Sequence, residues 1–124
     1  MRLAHFEFDP EADRLGEGPL SEVFKAKDTK LDRMVALKVL RAHAEIDPQA
    51  DLRFEREAKH TALLEHPGIT TIYELDEDQG KPYIAMEFLE GRTLDKVIRD
   101  RHLSIQELLK IAKQLTNILG KVHD

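Results

Sequence analysis

The chain has no cysteine, which excludes disulfide staples and thiolate metal sites and fits a reducing cytoplasm. It has no apolar run approaching the roughly 20 residues that a helix needs to cross a bilayer. Its amino terminus, Met1-Arg2-Leu3-Ala4-His5-Phe6-Glu7-Phe8-Asp9, carries acids where a signal peptide needs an apolar stretch. Cations are not in excess either: 19 lysines and arginines stand against 24 aspartates and glutamates, a net charge of −5. Nucleic-acid surfaces depend on clustered positive charge, so nucleic acid is not an expected partner. Internal repeats and low-complexity linkers are missing as well. What remains is a 124-residue chain, 41% hydrophobic and 35% charged, long enough for a compact domain with its own core.

Residues 1–13 are acidic and contain Pro10, so they read as a short, weakly specified lead-in. From Arg14 to Lys27 the pattern is strand, glycine turn, strand, with period-two alternation in the second part. A turn over Asp28 to Arg33 precedes Met34 to Leu40, a β-branched and largely buried strand. Asp47-Pro48 opens a helix with a capping carboxylate and a first-turn proline, and Pro67-Gly68 ends it. Leu52, Ala58, Ala62 and Leu63 supply its apolar positions. Two strands, Ile69 to Leu75 and Pro82 to Leu89, are joined by the acidic turn Asp76-Glu77-Asp78-Gln79-Gly80. Thr93 to Asp100 is a short helix, and Ser104-Ile105-Gln106-Glu107 is a capping box for a last amphipathic helix. Five strands, one helix after the third and a helical segment at the end describe an α+β architecture.

Gly16-Glu17-Gly18-Pro19-Leu20-Ser21 approximates G-x-G-x-x-G. A dinucleotide fingerprint requires a helix after the glycines, and here a strand follows. A P-loop is excluded because no Gly-Lys-Ser/Thr ends the motif. An ordinary hairpin turn remains open, as does a flap whose bare backbone approaches phosphate oxygens. Lys38 ends an apolar strand, where a lysine can simply snorkel to solvent. Alternatively, Val23 and Ala36 form an apolar lid over a flat base while Lys38 points toward phosphates. Glu57 then pairs with Lys38; Glu55 is its competitor, on a different face of the same helix. A strand leaving the domain at Met86 exposes backbone groups that suit adenine, or it is a plain edge strand turning at Gly91.

Taken together, these motifs resemble the amino-terminal half of a bacterial, eukaryotic-type serine/threonine protein kinase domain. They are Leu15-Gly16-Glu17-Gly18 with Ser21-Glu22-Val23, Val35-Ala36-Leu37-Lys38, Arg56-Glu57-Ala58, His66-Pro67-Gly68-Ile69 and Met86-Glu87-Phe88-Leu89-Glu90-Gly91. They follow the family's order over residues 14–124. The resemblance implies a small lobe at 14–86 (a five-stranded antiparallel sheet plus one helix), a hinge at 87–92 and the start of a truncated large lobe at 93–124. It also implies ATP as the ligand, with magnesium in the full family. On that reading Leu15, Gly16, Glu17, Gly18 and Ser21 form the phosphate flap, and Val23 and Ala36 cover the base. Lys38 is the α/β-phosphate ligand, Glu57 its partner and Met86 the gatekeeper, and the Glu87 carbonyl and Leu89 amide are hinge contacts. Three positions depart from the family pattern. Ser21 replaces the third glycine, Pro19 removes a tip N–H donor, and Thr61 stands where an apolar side chain usually packs.

The catalytic His-Arg-Asp loop and Asp-Phe-Gly do not occur in these residues. Val122-His123 stays in register with the last helix, so His123-Asp124 is not the beginning of the former. The catalytic base and both metal ligands are therefore absent, and the chain alone is expected to be inactive. The stripe Leu108, Ile111, Leu115, Ile118 and Val122 is expected to seek a protein partner or a second copy. The alternative reading is a non-catalytic, kinase-like interaction or regulatory module.

Overall fold

Period-two alternation dominates the strand-forming segments, and the chain folds them into one antiparallel sheet. In the computed structural model, which describes residues 1–41, 48–64 and 66–123, the elements are β1 (Arg2–Leu3), β2 (Phe6–Glu7), β3 (Arg14–Glu17), β4 (Ser21–Asp28), β5 (Arg33–Leu40), α1 (Pro48–Ala62), β6 (Ile72–Asp78), β7 (Lys81–Glu87), α2 (Leu94–Asp100) and α3 (Ile105–His123). The strand order is β1-β2-β4-β5-β7-β6, with β3 also paired to β4. The α+β architecture is as anticipated, with seven strands among the described residues where five were expected.

The two extra strands come from the lead-in. Residues 1–13 are not weakly specified: Leu3, Phe6 and Phe8 are buried in the main core, Phe6 completely. Phe8 stacks on Phe24 at 4.7 Å between ring centres, and Phe6 meets Tyr83 edge-on at 5.4 Å. Phe6-Glu7-Phe8-Asp9 alternates, so its acids point away from the core its aromatics enter. The hairpin is also tied down by its backbone. The Thr29 N–H and hydroxyl both donate to the His5 carbonyl, and the Ala4 N–H donates to the Asp78 carboxylate at 2.7 Å.

Strands β4 and β5 pair over their whole length, from Ser21 opposite Leu40 to Asp28 opposite Arg33. Buried Asp28 accepts the N–H groups of Lys30 and Leu31, and so shapes the turn between them. Val35, Leu37 and Val39 face the core that holds the amino-terminal aromatics. On the opposite face Leu40 and Ile84 pack against Ala50, Phe54 and Ala58 of α1. That corrects the expected helix face: Leu52, Ala62 and Leu63 are exposed, because the buried stripe repeats every four residues from Ala50. The helix also ends at Ala62, earlier than Pro67-Gly68, and the capping position Asp47 lies outside the described residues. The β6–β7 turn is tighter than the five-residue acidic turn anticipated. Gln79 and Gly80 alone make it, both with positive φ (53° and 78°), and the acids before them belong to β6.

Two compact units divide the chain: Met1–Leu63 with Thr70–Phe88, and Leu64–Ile69 with Leu89–Asp124. The first contains the sheet and α1. Within the second, the Ser104 hydroxyl accepts the Glu107 N–H at 3.1 Å and donates to the Glu107 carboxylate at 3.2 Å, starting α3. Gly68 lies against α3 so closely that a Cβ there would collide with the Ile118 side chain.

Candidate functional site

Strand β5 delivers its side chains alternately to the core and to the face shared with α1. Ala36 and Lys38 fall on the latter. The ladder places Val23 opposite Lys38 and Ile84 beyond it, and Lys25 opposite Ala36 with Met86 beyond. Val23, Ala36, Lys38 and Met86 therefore share one face of the sheet, from three separate strands.

Over that face the Lys38 Nζ reaches the Glu57 Oε1 at 3.0 Å and lies 6.0 Å from the centre of the Phe54 ring. The lysine side chain is 21% exposed and the glutamate 66%. Glu55, the competing carboxylate, is taken by Lys59 one turn along the helix at 2.7 Å. An exposed pair of this kind contributes roughly 0–1 kcal/mol to stability, so its consequence is geometric: it fixes where the ammonium sits. Thr61 bonds its hydroxyl back to the Glu57 carbonyl at 3.0 Å, which satisfies that polar group within the helix.

The glycine segment forms the β3–β4 hairpin. Gly16 pairs with Val23 and Glu17 with Glu22, after a bulge near Leu15, which is half exposed. The Gly18 N–H donates to the Ser21 carbonyl at 2.8 Å and closes the turn around Pro19 and Leu20. Neither Gly16 nor Gly18 has a positive φ, and a Cβ at Gly16 would meet nothing within 4 Å. The fold itself thus makes no demand for glycine at either place. Glu87 ends β7, its N–H donating to the Thr71 carbonyl at 2.9 Å, and Leu89 follows beyond the strand, in the second unit and exposed.

Two neighbours of the site escaped the sequence reading. Phe54 lies one turn before Glu57 on α1, and that i, i+3 spacing was the available signal. Arg41, just past β5, holds the glycine turn: its Nη1 donates to the Gly18 carbonyl at 3.1 Å and meets the Glu17 carboxylate at 3.3 Å. No local pattern marks it, because its partners are more than 20 residues away.

Comparison with known proteins identifies the arrangement. Residues 10–124 match the protein kinase domain family. The chain belongs to the protein kinase family. Among serine/threonine kinases it is 40% identical to PknB of Mycobacterium leprae over 90% of its own length and 38% identical to PrkC of Bacillus subtilis over 88%. It spans 19% and 17% of the lengths of those two proteins. The solved kinase domain of Mycobacterium tuberculosis PknI superposes with a TM-score of 0.76 at 27% identity, covering 99% of this chain and 50% of that one. The kinase fragment is thus the amino-terminal part of such a domain, sheet and α1 first, as the motif order implied.

Proposed function

We propose that these residues grip ATP for a serine/threonine protein kinase domain. The Lys38–Glu57 pair carries the reading: a strand ammonium, fixed by a helix carboxylate at 3.0 Å, on the face that also presents Val23, Ala36 and Met86. Lys38 would take the α- and β-phosphates, and the hairpin of Leu15, Gly16, Glu17, Gly18 and Ser21 would cover them. Glycines that the fold does not require are what close approach to a phosphate does require. Gly18 uses its N–H inside the turn and Pro19 has none, so fewer donors face outward at the tip than a residue other than proline at position 19 would allow. Val23 and Ala36 would cover the base beside Met86, and the Glu87 carbonyl and Leu89 amide would meet its edge.

Phosphoryl transfer needs a catalytic aspartate and magnesium ligands that these 124 residues do not include. Among the described residues no group of three or more carboxylates or histidines could hold a metal ion. A polypeptide of this sequence is inferred to bind nucleotide without turning it over, in a reducing cytoplasm that its lack of cysteine fits.

Isothermal titration tests this directly. ATP is expected to bind, and Lys38→Ala to weaken it by about tenfold or more while adenosine is little affected, because an ion pair with phosphate is lost. Equal binding of ATP by both forms removes the proposal. The second reading, a docking module without nucleotide, draws on the exposed Leu108, Leu115 and Val122 of α3. It gains if ATP fails to bind at millimolar concentration.

A further inference from the structure

Arg41 is the first residue after β5, three positions beyond Lys38, and it makes four connections to one small region. Its N–H donates to the Leu20 carbonyl at 2.8 Å and its Nη1 to the Gly18 carbonyl at 3.1 Å. Its guanidinium also meets the Glu17 Oε2 at 3.3 Å and the Glu22 Oε1 at 3.8 Å. The same two carboxylates bind Arg14 at 3.4 and 3.3 Å. Two arginines and two glutamates thus bracket the base of the glycine turn, and of the arginines only Arg41 directly follows the strand that carries Lys38.

A planar guanidinium has five donors in a fixed fork, which suits simultaneous contact with a backbone carbonyl and flanking carboxylates; a lysine could not span them. Exposed ion pairs add little to overall stability, and Arg41 is only partly buried. The consequence is instead local. A hairpin closed by one Gly18–Ser21 bond at its tip can pivot on its strands, and contacts from another strand to the tip carbonyls oppose that pivot.

We propose that Arg41 is a positioning residue that latches the glycine turn to the end of β5, so that the tip and the Lys38 ammonium are held at one spacing before a ligand arrives. That the latch serves a polyphosphate rests on the ATP reading above; the latch itself does not. The rival account is that the ladder alone sets the turn and Arg41 is a surface charge.

Amide hydrogen exchange of the nucleotide-free chain separates them. Arg41→Met keeps the aliphatic stem and removes the fork. It is expected to speed exchange at Gly18 and at residues 20–22 by about tenfold, while Val35, Leu37 and Ala85 exchange as in the parent and serve as the folding control. Glu17→Gln is expected to speed the same amides less. The double variant should show less than the product of the two effects, since they share a contact. Unchanged exchange at the turn, or a fully multiplicative double variant, overturns the latch. In titrations, Arg41→Met should weaken ATP several-fold more than adenosine. Equal weakening of both overturns its positioning of the phosphate flap. If the parent chain binds no ATP, the nucleotide reading fails while the exchange rates still decide the latch.

Discussion

Lys38 and Glu57 meet because α1 lies over the strand face that Lys38 occupies, and the helix is held there by Phe54, Ala58 and Ala50 rather than by the ion pair. A few tenths of a kcal/mol from an exposed pair cannot orient a helix; three buried apolar side chains can. On the opposite face Tyr83 is, among the described residues, the titrating group most altered by the fold. Its burial, and then the negative charges of Glu74, Asp76 and Asp78, push its phenol up from 10.0 to about 12. The folded chain therefore keeps Tyr83 neutral at pH values where the unfolded chain ionises it. The stability this contributes is complete below pH 10 and is lost as pH rises from there through 12, roughly 2–3 kcal/mol in all. Tyr83→Phe is expected to flatten that alkaline decline. Urea midpoints compared at about pH 9 and about pH 11 check it, a parallel fall in both proteins being the contrary result.

At the level of strands and helices, the amino-terminal hairpin is the main addition to the expected sheet. It covers the core face of β4, β5 and β7 with Phe6 and Phe8, and its turn is bonded to the β4–β5 turn and to the last residue of β6. Phe6→Ala is expected to destabilise the first unit by about 3–5 kcal/mol, the cost of an emptied aromatic site in a packed core. Denaturant unfolding measures this, and a loss below about 1 kcal/mol would mean the hairpin merely rests on the sheet. The alternation of Phe6-Glu7-Phe8-Asp9 was visible in the sequence, yet the acids and Pro10 suggested a loose lead-in. What hid the strands was distance along the chain: Phe6 pairs with Asp28, and no local rule links them. The α1 face was misjudged for a related reason. Ala58 was expected on the inward face and is buried, but Leu52 is 60% and Leu63 80% exposed, while Ala50 and Phe54 complete the buried stripe. Small residues mark close approach, which only a partner surface reveals.

For the molecule as a whole, the second unit differs from the first in how little it covers. Helix α3 buries none of its residues, and Leu108, Leu115 and Val122 are each more than 40% exposed. Each such side chain, a little under half exposed, has roughly 1 kcal/mol still to gain from burial. A polypeptide of these 124 residues is expected to self-associate with increasing concentration, and Leu115→Lys combined with Leu119→Lys to reduce the association. Light scattering decides between this and a monomer that persists undiluted.

The motifs themselves were legible without coordinates: the glycine hairpin, the lysine strand and the glutamate helix follow in order, and that order suffices for the family. The five strands after the lead-in and the Ser104 cap of α3 were readable too, since they depend on neighbours two or three residues away. That Glu57 rather than Glu55 meets Lys38 was anticipated from the order of the motifs, whereas which helix face is inward, and that Arg41 touches Gly18 and Glu17, emerged only on folding. The Arg41 contacts join residues 23 and 24 positions apart through space, and they depend on packing shape, which leaves no periodic trace in a single chain.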